Sequence, residues 1–157
     1  MIQFGGGEPM NRLSDLLILL KTAKRTSDFA IYTSGFKLNR ENAFALKEAG
    51  LTSILLSIDH YLPEKHNDFR RNDKVFSWAM EAAKSVVEAK LVLTFIVCVT
   101  REFCTRENLM NYMNFANEHG ASFVEFLEPR SVGNYEGKAT SQQAIVQSSH
   151  ITEDIFR

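Results

Sequence analysis

Five short apolar runs alternate with segments of helical periodicity along this chain of 157 residues, and this alternation constrains the fold most. The runs have the length of β-strands and span residues 1–4, 29–32, 53–58, 91–99 and 123–127. Between them, apolar residues recur three or four positions apart, as they do in amphipathic helices. Nearly continuous apolar strands that are separated by helices are typical of a parallel sheet with right-handed crossovers. The pattern predicts an α/β fold, either an open doubly wound sheet or part of a (βα) barrel.

Residues that favour helix ends support this division of the chain. Asn39 is predicted to cap a helix that stops at Gly50, and Thr105 to cap one that stops at Gly120. A short helical turn is expected over residues 64–69, and a longer helix over residues 73–89.

Charge and apolar patterning exclude several classes of protein. Lys and Arg number 18 against 19 Asp and Glu, so the net charge of −1 argues against a nucleic-acid or anionic-membrane partner. No apolar run approaches the roughly 18 residues of a membrane-spanning helix, and no signal-peptide pattern opens the chain. The two cysteines form no disulfide framework. We therefore expect a cytoplasmic protein.

Polar residues gather where the predicted strands end, which is where parallel folds place their chemistry. After the first strand come Gly5, Gly6 and Gly7, followed by Glu8 and Pro9. Glycines let a ligand approach the backbone, and a carboxylate beside open backbone groups suits an ammonium group. The segment has neither the third glycine of a dinucleotide loop nor the Gly-Lys-Ser/Thr of a P-loop. An ordinary strand-to-helix turn with a solvated glutamate accounts for it equally well.

A second polar cluster follows the third predicted strand. Ser57 and Asp59 are two positions apart, so in an extended strand end they face the same side. A hydroxyl with a carboxylate suits a ribose or an amine, whereas the plainer alternative is that Asp59 caps the next helix. His60 and His66 lack the spacing of a metal-binding motif.

The cysteines do not indicate a metal centre. Cys98 and Cys104 are six positions apart, and a cubane iron–sulfur cluster needs three or four ligands. Cys98 is predicted to be a buried, small apolar residue and Cys104 a loop thiol. We therefore expect neither metal ligands nor catalytic residues within this chain.

The order of these motifs resembles the radical S-adenosylmethionine (SAM) enzymes, in the branch that holds the molybdenum-cofactor cyclase and the SPASM-domain maturases. Gly6-Gly7-Glu8-Pro9 is similar to the family's GGEP segment, and Thr33-Ser34-Gly35 to its TNG segment. Leu56-Ser57-Ile58-Asp59 is similar to its S-[ILV]-D strand, residues 63–70 to the loop that follows, and Phe126-Leu127-Glu128-Pro129 to a later strand end. The resemblance covers about residues 1–137 and implies a partial (βα)6 barrel of about strands two to six. Residues 138–157 would form a loop-rich tail that leads into a truncated next element.

The resemblance also implies a role for ten residues. Contact with the SAM ammonium is implied for Gly6, Gly7 and Glu8, next to Pro9. Contact with its carboxylate or ribose is implied for Thr33 and Ser57, with Asp59 supporting the loop. Pairing with the SAM carboxylate is implied for Arg70, and packing near the adenine for Val97 or Val99.

The activity that the resemblance implies is reductive cleavage of SAM at a [4Fe–4S] cluster, which yields a 5′-deoxyadenosyl radical that abstracts a substrate hydrogen. Such an enzyme takes SAM, an electron donor, and a peptide or small-molecule substrate. The CxxxCxxC loop that holds the family's cluster has no counterpart here. We therefore expect a fragment of a longer enzyme, inactive alone.

Two alternatives stay open. One is a non-catalytic, degenerate SAM- or nucleotide-binding module, although the uncovered apolar edge at residues 1–4 favours truncation. The other is an unrelated phosphate-binding barrel. That barrel needs a glycine-rich phosphate loop after a late strand, and residues 133–137 fit poorly because they include Glu136.

Overall fold

The computed structural model describes residues 1–23 and 27–127. The strands are β1 (Ile2–Phe4), β2 (Phe29–Thr33), β3 (Ser53–Ser57), β4 (Val92–Cys98) and β5 (Phe123–Leu127). The helices are α1 (Leu13–Thr22), α2 (Arg40–Ala49), α3 (Pro63–Arg70), α4 (Val75–Glu88) and α5 (Arg106–Glu118), and a 3₁₀ turn over Pro9–Arg12 precedes α1. The expected segments at residues 128–137 and the expected tail at 138–157 lie outside the described residues.

All five strands belong to one parallel sheet whose order follows the chain, β1-β2-β3-β4-β5. Tyr32 lies opposite Leu55, which lies opposite Thr94, so the side chains of these three residues share one face. The carboxyl ends of all five strands therefore meet at a single edge of the sheet. The α/β fold predicted from the alternation is confirmed.

Within residues 1–23 and 27–127, the helices cover one face of the sheet. The main core joins strand residues such as Ile54 and Phe95 to helix residues such as Leu46 and Ala82. On the opposite face, Ala30, Leu55 and Ile96 form a small separate cluster. A doubly wound sheet carries helices on both faces, so this arrangement is that of an unclosed (βα) barrel. We call the side opposite the described helices the inner face.

Helix ends form largely where the sequence predicts them. The side chain of Asn39 accepts a hydrogen bond from the Asn42 N–H and that of Thr105 from the Asn108 N–H, which confirms both caps. Gly50 ends α2 with φ of +107°. The expectation that Asp59 caps the next helix is wrong, because α3 begins after Leu62 with Pro63 in its first turn and no side-chain cap.

The environments predicted for the two cysteines are reversed. Cys104 is buried in the main core, because the loop after β4 folds back onto the helices. Cys98 is half-buried at the end of β4 and lies opposite Leu127 on the inner face. Among the described residues, no helix combines the length and the apolar character needed to cross a bilayer.

Gly35 is the position where the loop after β2 touches α4, and we predict that Gly35→Ala destabilises the fold. Its φ is +89°, and a Cβ there would lie 2.9 Å from both the Trp78 carbonyl oxygen and the Ala79 Cα. Positive φ and backbone overlap together cost about 2 kcal/mol or more. Urea unfolding measures the loss, and Gly7→Ala, whose Cβ would meet nothing within 4 Å, is the matched control. Equal stabilities of the two variants would contradict the prediction.

His66 is fully buried, and we predict that its ionisation lowers the stability of the fold as the pH falls. Burial lowers the pKa of His66 to about 4; the Asp59 carboxylate opposes this shift, and Arg70 and His60 add to it. The unfolded chain binds the proton below about pH 6.5, so the free energy of unfolding falls by about 3 kcal/mol between pH 6.5 and 4. Urea unfolding across this range should show a shallower fall for His66→Asn than for wild type or His119→Asn. Identical pH profiles for all three proteins would contradict it.

Candidate functional site

Glu8 joins the loop after β1 to the end of β2. Its Oε1 accepts hydrogen bonds from the Thr33 hydroxyl at 2.7 Å and the Met10 N–H at 3.2 Å. Its Oε2 accepts from the Ser34 hydroxyl at 2.6 Å and the Ser34 N–H at 3.0 Å. Two carboxylate oxygens offer about four acceptor positions, so the chain's own donors occupy them. Glu8 therefore holds two loops together while keeping its negative charge at the carboxyl edge.

The glycines before Glu8 leave the backbone open. Gly6 has φ of +127°, and a Cβ at Gly6 or Gly7 would meet nothing within 4 Å. The loop borders a cleft of about 310 Å³ whose other walls include Arg12 and Leu16. A ligand can thus reach the main-chain groups of this loop. Pro9 occupies the first position of the 3₁₀ turn, where its missing N–H leaves no bond unmade.

Asp59 ties the end of β3 to β4 and α3. Its Oδ1 accepts a hydrogen bond from the Cys98 N–H at 3.1 Å, and its Oδ2 accepts from the Nε of Arg70. The carboxylate side chain is only 2 % exposed, whereas the Arg70 side chain is 35 % exposed. A buried carboxylate needs this pairing, since an isolated charge in the interior is costly. The Nε bond leaves the terminal nitrogens of the Arg70 guanidinium for other partners.

The peptide group between Ile58 and Asp59 is held by two side chains from different helices. The Tyr112 hydroxyl donates to the Ile58 carbonyl oxygen at 2.6 Å, and the Asp59 N–H donates to the Nδ1 of His66 at 3.0 Å. Burial and the Asp59 carboxylate raise the pKa of the Tyr112 hydroxyl, so it remains a donor at neutral pH. Both ends of one peptide group are therefore fixed inside the protein.

Val97 and Val99, for which the resemblance implies packing near the adenine, do not lie on the inner face of the sheet. Val97 and Val99 belong to the core between the sheet and the helices. Ser57 lies opposite Ile96, so these two residues share the inner face with Cys98. The half-buried Ser57 therefore has Ile96 and Cys98 as its apolar neighbours on β4, rather than Val97 and Val99.

Two groups of the predicted residues are assembled directly by the structure. Glu8 contacts Thr33, and Asp59 contacts Arg70. Thr33 lies opposite Leu56, the residue before Ser57, so the two groups stand on neighbouring strand ends. A further cleft, of about 550 Å³, adjoins Asp59 and is walled by α3 and the loop after β4.

The described residues do not fit an iron–sulfur cluster. No group of three or more His, Cys, Asp or Glu side chains there is arranged to hold a metal. Burial raises the pKa of the Cys98 thiol, as does the neighbouring Asp59 carboxylate, so that thiol stays protonated. Cys104 is enclosed in the core. Neither cysteine is placed to act as a cluster ligand.

The sequence does not predict that Tyr112 and His66 hold the peptide group between Ile58 and Asp59. Tyr112 looks like an ordinary apolar residue of an amphipathic helix, and its partner Ile58 is 54 positions away. The one local signal is a tyrosine at a core position, because a buried hydroxyl needs a partner.

Comparison with known proteins gives a family and a set of relatives. The model described as "Radical SAM superfamily" matches residues 1–113. A GTP 3′,8-cyclase from Limosilactobacillus fermentum is 28% identical over 137 residues, which are 85% of this chain and 40% of the relative. GTP 3′,8-cyclase 2 from Pseudomonas aeruginosa is 27% identical over 143 residues, covering 88% of this chain and 43% of the relative. The chain thus spans about two fifths of the length of these curated relatives.

Solved structures share the fold. The structure of native anSMEcpe with bound AdoMet and Cp18Cys peptide superposes with a TM-score of 0.67 at 19% identity, covering 98% of this chain and 43% of that one. Native anSMEcpe with bound AdoMet gives a TM-score of 0.62 at 22% identity, over 80% of this chain and 36% of that one. The family match covers more than half of the sequence, and the chain therefore belongs to the radical SAM superfamily.

Proposed function

We propose that this chain is the SAM-binding part of a radical SAM enzyme, with residues 1–137 forming the barrel core and 138–157 a tail. The observation that carries the proposal is the Glu8 cluster, in which one carboxylate fixes an open glycine loop to the end of β2. The family match and the shared fold with AdoMet-bound structures support it. SAM combines an amino acid, a ribose and a purine, and the carboxyl edge offers an anion, hydroxyls and an apolar wall.

Each part of SAM has a place in this proposal. The ammonium group meets the open carbonyls of the Gly6 and Gly7 loop, with the charge of Glu8 behind them, because the oxygens of Glu8 are already occupied. The carboxylate meets the free guanidinium nitrogens of Arg70 in a charge-assisted bond. Ser57 supplies a hydroxyl for the ribose.

For the adenine, the inner-face neighbours Ile96 and Cys98 replace Val97 and Val99. They flank Ser57 on the same face, whereas the two valines pack against helices. Thr33 acts through Glu8, since its hydroxyl donates to that carboxylate and accepts the Gly35 N–H at 3.0 Å.

The reaction itself belongs to the longer protein. SAM, when it is bound beside a reduced iron–sulfur cluster, supplies the radical chemistry of the family, and the described residues of this chain do not fit that cluster. This chain's own residues bind and orient SAM and shield it from water. The longer protein would also use an electron donor and a peptide or small-molecule substrate; the relatives include cyclases named for GTP and a structure with a bound peptide.

Calorimetric titration of the purified chain with SAM tests this function. We predict one-to-one binding, weakened about tenfold or more by Glu8→Gln, because the variant removes the negative charge of the carboxylate that holds the glycine loop. Glu81→Gln, on the exposed side of α4, should bind as wild type does. Thermal unfolding of each variant shows whether it is folded at the titration temperature.

The outcomes separate clearly. A wild-type chain that gives no binding heat at millimolar SAM would overturn the proposed function. Binding that Glu8→Gln leaves intact would keep SAM as ligand and remove Glu8 from the site.

A further inference from the structure

Two side chains, rather than a neighbouring strand, anchor the peptide group that follows β3. Ladder pairing still serves Ile58, whose N–H donates to the Ile96 carbonyl oxygen at 2.8 Å. The next peptide group, Ile58 C=O and Asp59 N–H, instead uses the side chains of Tyr112 and His66. Each of these side chains is 0% exposed. A buried peptide group without partners is costly, so α5 and α3 here supply what the sheet does not.

That anchored peptide group carries Asp59, which sets the position of Arg70. Asp59 follows directly in the chain, and its carboxylate holds the Nε of Arg70 and the Cys98 N–H. The chain of contacts therefore runs from Tyr112 and His66, through the backbone at residues 58–59 and the Asp59 carboxylate, to the guanidinium. Every contact except the last is buried.

Arg70 depends on this chain of contacts for its orientation. It stands in the last turn of α3, where Arg71 ends the helix with φ of +55°. A long side chain at a helix end samples many rotamers unless its head is held. Asp59 holds one edge of the guanidinium, and the remaining N–H groups then point in fixed directions, which is what recognition of a carboxylate requires.

We propose that Tyr112 and His66 are positioning residues that fix the Asp59 loop so that Arg70 is presented to the carboxylate of SAM. The inference rests on the proposed function and extends it to two side chains that touch no part of the ligand. A purely structural role predicts something different, namely that their loss weakens all ligands alike through lost stability.

The test compares two ligands on the same chain by titration calorimetry. The first is SAM, and the second is decarboxylated SAM, which lacks the carboxylate and keeps every other group. We expect Tyr112→Phe to weaken SAM binding about fivefold, because one buried hydrogen bond is lost, and to leave the decarboxylated ligand unchanged. Arg70→Gln should show the same selectivity, and combining it with Tyr112→Phe should add no further loss, since both act through one guanidinium.

The control is a variant with lowered stability and no contact with the anchored peptide group. Val86→Ala trims a fully buried side chain of α4 and should leave the affinity for both ligands unchanged once the chain is folded. His66 gives a second, independent pair of variants. Asn keeps an acceptor for the Asp59 N–H and Leu does not, so His66→Leu should reproduce the loss for SAM and His66→Asn should restore it.

Each outcome of the titrations supports or overturns the positioning role of Tyr112 and His66. Selective loss for SAM in Tyr112→Phe and His66→Leu, with rescue by His66→Asn, supports the proposal. If the wild-type chain binds SAM and the variants lose affinity equally for both ligands, or lose none, the proposal is overturned and the proposed function stands. Absence of SAM binding by the wild-type chain overturns both.

Discussion

Burial of one face of the sheet is the constraint on which the rest of this structure depends. The core between the sheet and its helices contains Ile31, Ile54 and Phe95, each 0% exposed, packed against helix residues such as Leu46. Because a crossover joins each strand to the next, all five strands run in parallel and end at one edge. The loops that follow β1, β2 and β3, which carry Gly6, Ser34 and Asp59, are therefore neighbours although they are far apart in the sequence. The candidate site is a consequence of this packing.

The sequence predicts the fold well because its signals are periodic and local. Five apolar runs, the caps Asn39 and Thr105, and the stop at Gly50 all reappear in the structure. The choice of face on β4 was beyond such reasoning. Residues 91–99 are apolar on both sides, so alternation shows that Val97 and Val99 share a face without showing which face it is. Their placement, and the reversed environments of the cysteines, follow from register and from a loop that folds back.

The site divides in the same way. The sequence predicts the motifs that lie within one loop, and it predicts that these loops meet at the carboxyl edge. It does not predict the side chains that hold those loops in place, because the contacts join distant parts of the chain: Thr33 to Glu8 across 25 positions and Tyr112 to Ile58 across 54. Tyr112 fits an amphipathic helix as well as a phenylalanine would. Only its hydroxyl distinguishes it, and the partner of a hydroxyl is a property of the folded chain.

The charges at the carboxyl edge agree with the SAM binding that we propose. Asp59 and Arg70 neutralise each other, so Arg70 offers donors to a carboxylate without adding net charge. Glu8 keeps a full negative charge, since its partners Thr33, Ser34 and Met10 are neutral. Glu8, Asp59 and Arg70 together carry a net charge of about −1. SAM has an ammonium, a sulfonium and a carboxylate, which sum to a net charge of about +1. A partly buried edge strengthens such complementarity, because the effective dielectric constant is lower there than in water. In the complex that we propose, the Arg70 donors serve the carboxylate of SAM, and the charge of Glu8 offsets the ammonium and sulfonium charges.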